Sequence, residues 1–435
     1  MRKYIFLSIF LLLIIAIMNP TWGDDWDDFR NHEAILFTGQ SIKEFITASV
    51  DHIFIFSYRE RDNSWHQITF QIDEIDDKGY FEGENNYNNV VDAVDEFLFM
   101  AGDAGDYAPS SSWIDDESSK QYVRYQIEII NPDDLQNKKY VYIFRSSILT
   151  HDPTLPYYIK YIAAPPGSAS DTIKTSAYIE GHNNKGIPDW WQIADSSGLF
   201  GNDILDRQKA RAKGSYIVSY NMDENDLQVD KLKYKRGPVR IIRDITYKAK
   251  VKLPIGSLDI DVGTFRYRFY PSRIVSLGAD KNLKSEYGVN LIRQSFDMDS
   301  TAIGMLFNNP DNFDLIIDGV HDVVNDTIYP SPVMNWYMYS GDIGTVVVLN
   351  EFTPPSNASF KLYYHENLTG STGDGTSDSG DGKSYGDAGI LFEGSKMEGS
   401  ISLPYLNYFL PGKHPRDIGS TLAYQAQNRL TKYSS

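Results

Sequence analysis

Between Thr264 and Tyr270 the chain reads Thr-Phe-Arg-Tyr-Arg-Phe-Tyr. Side chains alternate along an extended strand, so Phe265, Tyr267 and Phe269 share one face and Arg266, Arg268 and Tyr270 the other. Guanidinium groups grip carboxylates through two parallel hydrogen bonds. This face is therefore a candidate binder of an acidic polysaccharide. Just upstream, Lys248, Lys250 and Lys252 share a face, and Arg240 and Arg243 precede them. Residues 246–253 and 258–264 read as a hairpin, which sets Asp259 and Asp261 across from the lysine row and neutralises it. A lyase on the same face would need a cation to neutralise a uronate and a Tyr or His to move a proton. Its candidates are Arg266, Arg268, Tyr270 and His182.

The acidic counterpart lies earlier. Residues 71–120 hold 14 Asp and Glu against two Lys, a net of -12 out of -18 for the whole chain. Hard cations such as calcium take oxygen ligands from loops of this kind. Asp73, Asp103 and Asp106 are the candidate ligands; the alternative is a solvated acidic face that keeps the protein soluble. A third segment, Gly181 to Trp191, resembles the short calcium loops of secreted bacterial repeats at Asn183, Gly186, Ile187 and Asp189. Lys185 stands where an acidic ligand belongs, so a turn is the competing reading. Adjacent Trp190 and Trp191 must face opposite sides of a strand. The exposed one is a candidate sugar platform.

The elements that position these residues are mostly strands. Alternation marks residues 52–58, 65–72, 96–100, 122–130, 140–145 and 157–162. A Pro/Gly-rich stretch at 163–170 reads as a domain boundary, giving an N-terminal β-sandwich over 24–165 and a larger one over 170–435. Asn202 as a cap, Asp203 in a first turn and Lys/Arg toward Gly214 predict one short helix near 202–213. Gly370 to Asp387 reads as a mobile Gly/Ser/Asp surface loop. The fold class predicted is all-β, two antiparallel sandwiches with the second larger.

Arg2 and Lys3, the apolar run Tyr4–Met18 and the small residues Thr21 and Gly23 read as a signal peptide over 1–23. The expected location is secreted or periplasmic, with no transmembrane segment after signal removal. Cysteine is absent from all 435 residues, which excludes disulfides, thiolate zinc sites and Cys nucleophiles. The acidic balance argues against nucleic acid as a partner. No G-x-S-x-G, H-E-x-x-H or phosphate loop occurs.

The run Gln71-Ile-Asp-Glu and Asp95 to Asp106 resembles segments of uncharacterised exported bacterial proteins. Gly237-Pro-Val-Arg-Ile-Ile-Arg243 to Tyr270-Pro-Ser-Arg273 is similar in style to large β-sandwiches of the galactose-mutarotase-like type. Sugar epimerases, polysaccharide lyases and non-catalytic relatives share that type. No His/Glu motif of those families is matched, so no catalytic residue is carried over. The expectation is an exported, carbohydrate-associated protein that binds a glycan through Arg266, Arg268, Tyr270, Trp190, Trp191, Arg240 and Arg243. The alternatives are a lyase or mutarotase-like enzyme and a structural envelope protein.

Overall fold

A computed structural model of the chain describes residues 28–75, 88–215, 218–252, 256–279, 281–329 and 335–435. The leader expected over 1–23 and part of the turn before Ser257 lie outside the described residues. All sheet pairings within the described residues are antiparallel, as the alternating patterns require.

Two large sheets make the main sandwich. One has nine strands, beginning with Leu227–Lys235, Ile241–Lys252, Ser257–Tyr270 and Arg273–Ser276 and continuing through Tyr405–Leu410 to Gly344–Asn350 and Trp336–Gly341. The facing sheet is built on Ser219–Asp223, Leu205–Ser215, Val289–Met298 and Ser384–Ile401. Between them Phe296 and Met298 meet Tyr337, Tyr339, Val346, Val348 and Phe409 in one buried core. The tyrosine richness has a use here. The Tyr337 hydroxyl donates to the Ala388 carbonyl at 2.9 Å and Tyr339 to Gly386 at 2.7 Å. Each buried ring thus fills the core and satisfies its polar tip on the opposite sheet.

A smaller pair of sheets encloses the N-terminal core. Ala34–Thr38, Glu96–Met100 and Phe70–Asp73 form one; Ile53–Arg59, Asp134–Arg145 and Tyr125–Asn131 lead the other. Phe37, Phe97, Phe99, Ile55, Ile127 and Ile143 pack between them. The chain's last strand, Thr431–Ser434, returns to pair with Tyr125–Asn131. The stretch 163–170 connects Ile159–Ile162 and Thr172–Thr175, which pair with each other.

Residues 202–213 correct the sequence reading: the segment is the strand Leu205–Ser215, not a helix. Asp203 does not cap a helix; its Oδ1 accepts the Trp191 and Leu205 N–H groups. Lys209, Arg211 and Lys213 recur with period two, and the strand uses that period to bury Lys209 and Arg211 against acidic partners. The one helix of length in the described residues is Asp417–Gln427, whose Leu422 and Ala423 pack on Trp336 and Met338.

The 370–387 segment is a second correction. Strand Ser384–Ile401 begins inside it, and the rest is a fastened strap. Arg293 pairs with Asp374 and Asp387, each at 3.2 Å. Lys209 holds Asp378 and Asp297, and Arg211 Nη2 donates to Ser379 at 2.7 Å. Composition reads this stretch as mobile because the cations that hold it come from strands some 80 to 170 residues away in sequence.

Candidate functional site

The run that starts at Gln71 and the run that starts at Gly237 meet in space. Gln71 Oε1 accepts the Val239 and Arg240 N–H groups at 3.1 and 2.8 Å. Arg240, buried, pairs with Asp73 and with Glu96, the latter at 2.6 Å. Lys235 stands 3.7 Å from Asp73. A Cβ at 237 would sit 2.0 Å from Gln71 Cδ, so any larger residue there must displace the Gln71 amide from the Val239 and Arg240 N–H groups it holds. Gly237→Ala should therefore cost about 1–3 kcal/mol by overpacking. Chemical unfolding measures it, and a variant as stable as the parent would show that this seam yields freely.

Asp73, Asp103 and Asp106 are engaged separately. Asp73 faces Arg240, Asp103 accepts the Tyr158 hydroxyl at 2.6 Å, and Asp106 accepts the Glu60 N–H at 2.8 Å. Burial lifts the Asp103 carboxyl to about 6 against the pull of Tyr158. Among the described residues no three acidic or imidazole side chains gather as a metal set.

Arg243 heads a buried chain of charge. Its Nε and Nη2 grip Asp171 at 2.9 and 3.0 Å. The same carboxylate lies 3.0 Å from His182 Nδ1, and His182 Nε2 lies 3.2 Å from Glu180. Glu180 accepts the Trp191 indole N–H at 2.8 Å. Burial and Arg243 pull the imidazole down, but Asp171 and Glu180 outweigh them and raise it to about 8. Burial also pushes Asp171 up, but His182 and Arg243 hold it well below the usual carboxylate range. Trp191 is fully buried, while its neighbour Trp190 is 46% exposed, as strand alternation requires. In the 181–191 segment Asn183 Oδ1 accepts the Lys185 and Ile187 N–H groups, which makes it a turn.

The basic hairpin has the expected register, Lys250 opposite Asp259 and Lys248 opposite Asp261. Lys248 itself pairs with Asp230 at 2.6 Å. Asp244 lies opposite Arg266 and takes both arginines, Arg268 at 3.1 Å and Arg266 at 3.6 Å. Sequence alternation did not flag Asp244 because it belongs to the preceding, otherwise basic strand.

The fourth residue of the Tyr270-Pro-Ser-Arg273 turn opens a different site. Arg273 lies 3% exposed, its guanidinium carbon 5.0 Å from the centre of the Tyr270 ring. It lines a cleft of about 530 Å³ with Phe29, His32, Ser196, Tyr408 and His414. The 195–198 turn is set by Asp195, whose Oδ1 accepts the Ser197 N–H at 2.8 Å. Arg273 Nε has no hydrogen-bond partner. Arg429 sits close enough that the Arg273 charge, with burial, lowers its pKa. Glu33, the carboxylate felt by both, is held by Arg30 at 2.6 Å. Arg273 closes a sequence run already singled out; Arg429, far along the chain, carries no local signal.

Fold and cleft together define an all-β, sandwich-type protein with a part-aromatic cleft whose charged lining is Arg273, Glu33 and Asp195. No family model and no curated protein matches the chain. Among solved structures, an alpha-mannosidase from Enterococcus faecalis V583 superposes with a TM-score of 0.45 at 9% identity, over 93% of this chain and 43% of that one. A protein in glycosyl hydrolase family 38 from Enterococcus faecalis gives 0.41 at 8% identity, over 93% and 46%. The chain thus spans less than half the length of these two proteins.

Proposed function

We propose that this is an exported glycan-binding protein and that an acidic sugar enters the cleft at Arg273. The observation that carries the reading is Arg273, a guanidinium only 3% exposed whose Nε has no hydrogen-bond partner at the wall of the cleft, with the solvent-exposed Arg429 near enough to repel it and Glu33 held by Arg30. Like charges repel, and a carboxylate or sulfate beside the buried Arg273 relieves that repulsion. The aromatic rings of Phe29 and Tyr408 and the hydroxyls of Ser196 and Ser272 line the same cleft. Flat apolar faces beside hydrogen-bonding groups suit a pyranose ring. The basic hairpin, with Arg268 and Arg266 shared by Asp244, serves the sheet in this reading.

Arg273→Gln tests it. Charge-assisted hydrogen bonds are worth about 1.5–3 kcal/mol, so affinity for uronate oligomers should fall roughly 10- to 100-fold. Salt should weaken the parent more than the variant. Folding should survive, because removing one of two repelling cations leaves no stranded charge. Calorimetric titration with oligogalacturonate and with a neutral oligosaccharide reads the outcome. A folded variant that binds oligogalacturonate like the parent, or a parent that binds no acidic glycan, ends the proposal.

A further inference from the structure

We infer a second site, on the outer face of a small sheet, that takes a chain of acidic sugars across Trp190, Lys174 and Lys160. It shares the ligand class of the Arg273 cleft but none of the cleft's lining residues. The sheet is made of Pro188–Ile193, Tyr178–His182, Thr172–Thr175 and Ile159–Ile162, in that order. Directly opposed residues on neighbouring strands point to the same face. Trp190 is opposite Gly181, Gly181 opposite Thr172, and Thr172 opposite Ile162. One row of side chains therefore crosses all four strands. Two residues along, Ile179 is opposite Lys174 and Lys174 opposite Lys160. Trp191, Glu180 and Ile173 alternate with these residues and are buried on the inner side.

The indole is seated for stacking. A Cβ on Gly181 would lie 3.0 Å from Trp190 Cβ and 3.5 Å from its Cγ, so the tryptophan leans over the space that the missing side chain leaves. Gly181 is buried, while Trp190 is 46% exposed. A ring laid on backbone has one face covered and one open. Its negative π-face attracts the C–H face of a pyranose. Covering a strand glycine with an aromatic ring is also a structural device, but that device does not account for the next row. Lys174 and Lys160 are both exposed. Direct opposition sets their Cβ atoms about 4.5–5.5 Å apart, and like charges so placed destabilise a sheet. Lys174 Nζ stands 5.2 Å from the centre of the Phe200 ring, and among the described residues neither lysine forms an ion pair. In a chain of net charge -18, two adjacent cations without a counter-charge make a local place for an anion. Lys174 lies two strands across from Trp190 and two residues along, about 12 Å by strand spacing and rise. A sugar ring on the indole and the carboxylate of a neighbouring unit at the lysines fit that separation. A bilayer fits less well, because an indole laid along the sheet does not project into hydrocarbon.

Calorimetric titration of the full chain with oligogalacturonate should show two sites, and the Arg273→Gln variant should keep the weaker one. On that variant, Lys160→Gln with Lys174→Gln should weaken the remaining binding about tenfold and flatten its dependence on salt. Stability should hold or rise, since the change removes a repulsion. Trp190→Ala should weaken it about 3- to 10-fold, the worth of an aromatic contact, and Trp190→Phe should restore most of the loss. The galacturonate monomer and a neutral oligosaccharide should bind far more weakly than the acidic oligomer. Residual binding unchanged in the lysine variant or in a folded Trp190→Ala overturns the inference, as does a monomer that binds as well as the oligomer. If Trp190→Ala fails to fold, the lysine variant decides. Capture of anionic phospholipid vesicles that the lysine variant abolishes, with no residual glycan binding, overturns it in favour of a membrane surface. Loss of all binding in Arg273→Gln removes this site and leaves the cleft. Parental binding in Arg273→Gln that the platform variants weaken removes the cleft and leaves this site.

Discussion

Asp171→Asn should destabilise the fold by about 3–5 kcal/mol, the range found when one partner of a buried ion pair is removed. Asp171 lies fully buried between Arg243, which grips it at 2.9 and 3.0 Å, and His182 at 3.0 Å. The amide keeps the shape and loses the charge, which strands a guanidinium that cannot deprotonate. The pH dependence should change with it. The parent's His182 has a folded pKa of about 8, raised above an unfolded value near ~6.5. Its contribution is therefore fully present below about pH 6.5 and lost as pH rises through about 8. At roughly 1.4 kcal/mol per pKa unit that contribution is ~2 kcal/mol. In the variant most of this slope should vanish, because Asp171 is the main group that favours the imidazolium. Urea unfolding of both proteins at pH 6 and pH 9 measures it. A variant within 1 kcal/mol of the parent, or one with an unchanged pH slope, contradicts the charge chain.

The second large effect concerns the strap. Lys209, with no exposed surface, holds Asp297 and Asp378 and stands 3.4 Å from Asp206. Lys209→Met should cost about 3–5 kcal/mol near pH 8, since two buried carboxylates lose their counter-charge. Burial and Asp387 already lift Asp297 well above the usual carboxylate range. Without Lys209 that carboxyl should take up a proton more readily. A group whose folded pKa is raised gains stability as pH falls through it, so the variant should recover between pH 8 and pH 5. Limited proteolysis should then cut residues 372–381 in the variant at pH 8 and spare them in the parent. An intact strap in a variant of parental stability would mean that Arg293, with Asp374 and Asp387, suffices alone.

Much of the fold was legible wherever alternation met a clear turn. Residues 96–100 are a strand with the bounds the pattern predicts. The hairpin of the lysine row closes in the expected register, Lys250 to Asp259. The misread helix at 202–213 shows the limit: Asn202, Asp203 and Gly214 are genuine helix signals. They lost to a strand that buries Lys209 and Arg211 against Asp297 and Glu224, partners invisible within a local window. Of the candidate residues, Arg240 and Asp73 proved to be partners of each other. Trp191 and Arg243 are linked through Glu180, His182 and Asp171. Tyr270 borders the cleft residue Arg273.

The sequence by itself determined the all-β class, the antiparallel pairing and which residues carry charge. Those properties follow from period-two patterning and composition, which are local. Which charges are spent on each other was decided only by the tertiary structure. Asp171 finds Arg243 across 72 positions, and Lys209 finds Asp378 across 169. Burial multiplies the strength of such meetings, because a low-dielectric interior penalises every charge left alone. The cleft at Arg273 belongs to the same category. A void is the space that distant elements leave between them, and no stretch of sequence contains it.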